Sequence, residues 1–335
     1  VATIGDVARE AGVSRSTVSS VLTGRKVVLP PTRQKIEAAI EKLNFSVNAG
    51  ARALATARTM SIGVVVRFHQ AELSPALATY LIDLSDAARE RGYSIVLLTE
   101  ADGAAAVRRV IAGRQVDGLI LLSLVNDDPR LEPIQAANFP AVLIGMPRDT
   151  RGIDAIDLDF AAGAGMLVDH LADAGHRQAT FVQWPGELYT SGATYAVRFA
   201  EAARERAAER GLALVGHALP VEPDRVRQGL AELVSDPSGP QALLVHNDTA
   251  AAMLPFVLQA HGLRIPEDRS VVSLHSVELA QLFAIDVTSV ASEPQAVAER
   301  AVALLLDRID NPEAPTVTAL IEPQLVDRHS VSILS

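Results

Sequence analysis

The 335-residue sequence contains no cysteine, which excludes disulfide scaffolds, thiolate metal sites and cysteine nucleophiles. Aromatic residues are scarce at 4%, and Trp184 is the sole tryptophan. No apolar run approaches the ~18 uncharged residues of a membrane helix. The N-terminus lacks a basic-then-apolar leader, so a soluble cytoplasmic protein is expected. Neither a GxGxxG dinucleotide loop nor a P-loop is present. Gly163-Ala164-Gly165 falls within a predicted helix without a third glycine at the required spacing, and reads as close packing. His69, His246 and His275 each follow a different predicted strand without HxxH or HExxH spacing, so no metal is expected. No cofactor is implied either.

The chain is 49% hydrophobic and 21% charged, with a formal net charge of -10. Its length suggests two or three domains with ample core. The acidic total argues against nucleic-acid binding, but its distribution argues the other way. Residues 1–60 hold nine Lys/Arg against four acids, while the remaining 275 hold 21 basic and 36 acidic residues, giving +5 and -15.

The basic segment reads as three short helices. Thr3 lies three residues before Asp6, a capping box that opens a helix over about 4–11 with Ile4, Val7 and Ala8 on its apolar face. Gly12 suits the positive φ of a turn, and Ser14 caps a second helix over about 15–22. Val18, Val21 and Leu22 turn inward there, leaving Arg15, Ser16, Thr17, Ser19 and Ser20 for the opposite face. Pro30-Pro31 starts a third helix to about Leu43. Two helices around a glycine turn have helix-turn-helix geometry, whose second helix can enter a major groove.

Residues 3–58 also resemble the headpiece of the lactose- and galactose-repressor family of bacterial transcription regulators. The likeness lies in Asp6-Val7-Ala8, Ala11-Gly12-Val13-Ser14, Thr17-Val18-Ser19 and the segment from Asn48 through Ala51-Arg52 to Leu54. It implies that Arg15 and Ser16 read base edges, and that Thr17, Ser19 and Asn48 meet backbone or phosphate. Thr3, Ser20 and Arg25 join the implied DNA-binding set. Ala51 would let two hinge helices approach, and Leu54 would wedge into the central minor groove. Many relatives carry Arg where this chain has Ser20, which removes a guanine fork worth ~1–3 kcal/mol of discrimination and leaves Arg15 as the expected guanine reader.

From residue 61 apolar strands alternate with helices: strands at 61–66, 94–98, 117–122 and 141–145, then a second series at 179–183, 212–216, 242–245 and 271–274. Two α/β halves in series imply a cleft at the carboxyl ends of their strands. The family resemblance continues through Val116–Ile120, Asp157–Asp159, Asn247-Asp248 and Pro323–Ser330. It implies an N-terminal all-α helix-turn-helix headpiece with hinge helix, followed by a two-lobed α/β periplasmic-binding-protein-like domain. The expected divisions are headpiece 1–46, hinge and linker 47–60, one lobe at 61–160 plus 291–318, and the other at 161–290 plus 319–335. With no heptad tail before Ser335, a homodimer on near-palindromic double-stranded operator DNA is expected.

By the same resemblance, effector contacts fall at Phe68, His69, Trp184, Tyr195, Asn247 and His275. Sugar-responsive relatives set an Asp where this chain has His275, and their binding Arg falls near Gly192 or Tyr195. The ligand therefore stays open among a sugar, an anion held by Arg67, His69 and His275, and an aromatic molecule against Phe68, Trp184 and Tyr195, or no ligand at all. Asp248 beside His246 could support acid–base chemistry, or hold a loop and cap the following helix. A ligand-responsive dimeric repressor without catalytic activity is the expectation. A solute-binding protein, or an α/β enzyme using His275 or Asp248, is the alternative.

Overall fold

The structure, a computed structural model, describes residues 2–23, 28–45, 58–67, 75–236, 239–283 and 286–334. Its contacts divide into two compact units, Val1–Ser61 with Arg114–Asp117, and Ile62–Gly113 with Gly118–Ser335.

In the first unit three helices form as expected: α1 (Ile4–Ala11), α2 (Arg15–Thr23) and α3 (Pro30–Lys42). Thr3 and Asp6 close the capping box at the start of α1, and Gly12 ends it at φ 66. The Ser14 hydroxyl accepts from the Thr17 backbone N–H at 3.1 Å and so caps α2. Val7, Ala8, Val18, Ile36 and Ala39 form a small core, with Val21, Leu22 and Phe45 against it. Within this unit the Asp117 carboxylate receives the Thr59 N–H at 2.7 Å, the Thr59 hydroxyl at 2.9 Å and the Met60 N–H at 2.9 Å.

The second unit holds two lobes. In chain order the first is built from β1 (Ser61–Val65), α4 (Pro75–Glu90), β2 (Ser94–Leu98), α5 (Gly103–Ala112), β3 (Gly118–Leu121), α6 (Leu131–Ala137), β4 (Ala141–Ile144) and β5 (Asp154–Leu158). The second comprises α7 (Phe160–Asp173), β6 (Gln178–Gln183), α8 (Gly186–Ser191), α9 (Thr194–Glu209), β7 (Ala213–Ala218), α10 (Pro223–Ser235), β8 (Ala242–Val245), α11 (Asp248–Ala260), β9 (Ser270–His275), α12 (Val277–Phe283) and β10 (Thr288–Ala291). The chain then returns through α13 (Pro294–Asp310) and β11 (Thr318–Ile321) to the first lobe, and through β12 (Leu325–Val326) to the second. The sheets are six-stranded, ordered β11-β5-β4-β3-β1-β2 and β12-β10-β9-β8-β6-β7. Parallel registers join β1 to β3, β3 to β4, β4 to β5 and β5 to β11 in the first, and β7 through β10 in the second. Only β12 is shown antiparallel, against β10.

β11 pairs with β5, Thr318 against Ala155 through Ile321 against Leu158. β10 pairs with β9, and α13 packs on β3, β4 and β5, so the crossing between lobes falls between 291 and 294.

The central strands are apolar because helices cover both faces; Ile62, Val64, Leu119–Leu121 and Ala242–Val245 are all buried. β5 hides among them with two acids. Arg308 pairs with Asp154 at 2.8 and 2.9 Å, and Arg198 donates to Asp157 at 2.6 Å. Of the two glycines in α7, Gly163 alone is in close contact, 3.2 Å from Val290 at its Cβ position, whereas Gly165 faces open space. Residues two apart on a helix point to different sides, so the close-packing expectation applies to one of them.

Candidate DNA-reading helix and effector pocket

In the headpiece, α2 turns Val18 inward and leaves Arg15 and Ser16 exposed. The Arg15 guanidinium lies against Gly5, where a Cβ would stand 2.8 Å from Nη2, and its charge helps lower the Asp6 carboxyl, chiefly held down by its hydrogen bonds to Thr3. The hydroxyls on this helix already have local partners. Ser14 meets Ser16 at 2.7 Å and Thr17 at 2.8 Å, and Ser20 donates to the Ser16 carbonyl at 2.9 Å. Ser19 also has a partner. The Thr3 hydroxyl donates to Asp6 at 2.7 Å, so it serves the helix cap. Arg15 is thus the long, charged, exposed side chain among the described readers. Arg25, Asn48, Ala51 and Leu54 lie outside the described residues, as do Phe68 and His69.

In the body, the strand ends of both lobes surround a cavity of about 790 Å³ continuous with solvent. Tyr80, Leu122, Leu124, Ile144 and Asp157 line it from the first lobe; Phe160, Trp184, Tyr195, His246, Asp248 and Leu274 line it from the second. Trp184 stands edge-on to Tyr195 at 5.8 Å and to His246 at 6.1 Å, while His246 lies 4.0 Å from the Phe199 ring. Burial drives the His246 imidazole down to about 3, so it is neutral. Burial pushes the Asp157 carboxyl up to about 7 against the opposing pull of Arg198.

The sequence-derived contacts divide. Trp184 and Tyr195 line the cavity, whereas Asn247 and His275 are not among its lining residues. Asn247 is fully buried; its side chain accepts from Ala250 N at 3.0 Å and donates to the carbonyls of Gln183, Leu219 and Pro220 at 3.2–3.3 Å. It caps α11 and ties strand ends together, while its neighbour Asp248 reaches the cavity. His275 is buried beside Ser273 at the end of β9, with burial and then Arg328 lowering it to about 4. Arg67, proposed for an anion, also stays off the lining. Tyr80, Asp157 and His246 lie there without having been singled out as contacts. Their signal was positional, two at strand ends and one on a helix facing them. Among the described residues no group of three or more His, Asp or Glu side chains is arranged for a metal.

A model of the lacI family of bacterial regulatory proteins matches residues 3–48, and a periplasmic-binding-protein-like domain matches residues 168–331. The HTH-type transcriptional regulator CelR of Thermobifida fusca is 30% identical over 334 residues, covering 98% of both chains. The chain belongs to the LacI family. It is a DNA-binding transcription regulator with a small-molecule cleft.

Family relatives cover its whole length. The PurR repressor of Proteus mirabilis (strain HI4320) is 28% identical over 99% of this chain and 97% of its own. The lac repressor dimer bound to operator and an anti-inducer superposes with a TM-score of 0.82 at 25% identity, over 99% of each chain. A CelR–cellobiose complex gives 0.69 at 27% identity, over 98% of this chain and 100% of that one. No helix of the described residues is long and apolar enough to cross a membrane.

Proposed function

We propose that the chain is a homodimeric repressor of the cytoplasm, without catalytic activity, that binds a near-palindromic operator and is released or retained by a ligand in the cleft. The observation that carries this reading is the exposed α2 face in a basic segment joined to a two-lobed cleft. Two copies would present α2 to successive major-groove faces, which a palindrome matches. Ile82 on α4 with Val96 and Leu97 on β2, and Phe256 and Val277 on α11 and α12, are large apolar side chains exposed on both lobes. They supply apolar surface for a second copy. For the ligand, no Lys or Arg is among the described lining residues, which speaks against an anionic metabolite.

Footprinting should show two protected half-sites. Arg15→Ala should relax discrimination at one position in each, by the ~1–3 kcal/mol of one base contact. An unaltered base preference would remove Arg15 from the readout. Coupling between ligand and DNA is reciprocal, and the chain path between them runs through Thr59 and Met60. Asp117→Ala removes the acceptor for both backbone N–H groups and should reduce the ligand's effect on operator affinity at least fivefold. A ligand response equal to wild type would exclude that path.

A further inference from the structure

Gly5 occupies the second residue of α1, a place that the backbone does not reserve for glycine. It lacks the left-handed φ that Gly12 shows at 66, and glycine forms helix less readily than alanine. The missing side chain leaves room for the Arg15 guanidinium. The three atoms nearest to a Cβ at Gly5 are Arg15 Nη2 at 2.8 Å, Nε at 3.0 Å and Cζ at 3.1 Å. All three lie inside the ~3.5–4.0 Å optimum for such contacts, so alanine at this position would push the planar fork away from α1. Val7, Ala8 and Val18 hold α1 and α2 together in the headpiece core. The retreat therefore falls on the far end of a flexible side chain and not on the backbone.

Asp6 adds a direction. Its Oδ2 receives the Thr3 N–H at 2.9 Å and the Thr3 hydroxyl at 2.7 Å, while its Oδ1 lies 3.3 Å from Arg9. A carboxylate pinned beside Gly5 draws the Arg15 charge toward α1. Elsewhere on α2 the short hydroxyls are engaged locally, Ser20 with the Ser16 carbonyl at 2.9 Å. An arginine fork discriminates bases only when its plane meets the base edge, so the place where the guanidinium is held decides which base pair it reaches.

We propose that Gly5 is a positioning residue for operator specificity: the space it leaves beside α1 sets the direction of Arg15, and through it the base that each half-site must present. This role rests on the reading of Arg15 as a base reader.

The full-length wild-type protein can select its operator from randomised palindromic duplexes. Affinities for single-base variants of that operator are then measured for wild type, Gly5→Ala, Arg15→Ala and the double variant. Gly5→Ala should change discrimination by at least about fivefold at the position that Arg15→Ala relaxes, the low end of what one bidentate base contact contributes. Discrimination at other positions should stay within about twofold, and the salt dependence should stay that of wild type, since phosphate contacts are untouched. In the Arg15→Ala background the same substitution should change nothing. Thermal unfolding of Gly5→Ala should match or exceed wild type, because alanine suits a helical φ. Gly5→Ser, which also carries a Cβ, repeats the test should Gly5→Ala fold poorly. A wild-type base preference in Gly5→Ala, or the same change with and without Arg15, would overturn the positioning role alone. An unaltered preference in Arg15→Ala would instead overturn Arg15 as a reader, and the role of Gly5 with it.

Discussion

Arg130→Ala is expected to lower the unfolding free energy by about 3–5 kcal/mol, the range for breaking a buried ion pair. Arg130 and Asp128 have side chains only 1% and 0% exposed. The guanidinium donates to Asp128 at 2.9 and 2.7 Å, to the Ser123 carbonyl at 3.1 Å and to the Val65 carbonyl at 3.3 Å. It therefore joins the ends of β1 and β3. Burial alone would raise the Asp128 carboxyl, but the hydrogen bond and charge of Arg130, with backbone N–H groups of Arg130 and Val125, hold it below its usual range. Alanine would leave that carboxylate dry and unpaired and free two strand-end carbonyls. Leu122, Ser123 and Leu124 line the cleft, so ligand affinity should fall with stability. Replacing both partners by apolar residues should cost less than Arg130→Ala alone, because no charge is stranded. Urea unfolding measures both; a loss below about 1 kcal/mol for the single variant would mean the pair is not structural.

Acidification from pH 6.5 to 4 should cost about 3 kcal/mol of stability, and His246→Phe should remove most of that dependence. His246 and His275 are buried, with folded values of about 3 and 4 against an ordinary 6.5. In this window both are neutral when folded and charged when unfolded, so unfolding takes up two protons. Asp157 acts in the opposite sense. Its folded value of about 7 exceeds the ordinary 3.8, so it carries a proton when folded that the unfolded chain releases. The net uptake of one proton gives a slope of about 1.4 kcal/mol per pH unit, stability falling as pH falls. Phenylalanine suits a ring site among Phe160, Trp184, Tyr195 and Phe199, and leaves one histidine balanced against one aspartate. Thermal unfolding at several pH values tests this; an equal slope in wild type and variant would show that His246 titrates normally.

Elements with one strong local signal were legible in the chain. The capping box, Gly12 and the apolar spacing of Val7, Val18 and Ile36 define the headpiece because each acts over a few residues. β1, β2 and β8 were likewise recognisable as short apolar runs. β5 was not among the strands expected from the sequence, since Asp154 and Asp157 interrupt its apolar run. Arg308 and Arg198, distant in sequence, make them tolerable in a sheet. Asn247 and Asp248 show the same limit within two residues. Both follow a strand, but one side chain turns into the backbone carbonyls and the other into the cleft, a choice set by the packing of β6 and α11.

The charge that seemed to exclude DNA shows where each source of information ends. Sequence by itself determined the absence of thiol chemistry, the basic head on an acidic body, the α/β alternation and the helix-turn-helix pattern. These follow from composition and short-range periodicity. Tertiary structure decided which side chains meet in the cleft, that its described lining residues include two aspartates and no Lys or Arg, and that His246 is neutral there. Those properties depend on groups brought together from both lobes and on the water that burial removes, and neither has a local signature along the chain.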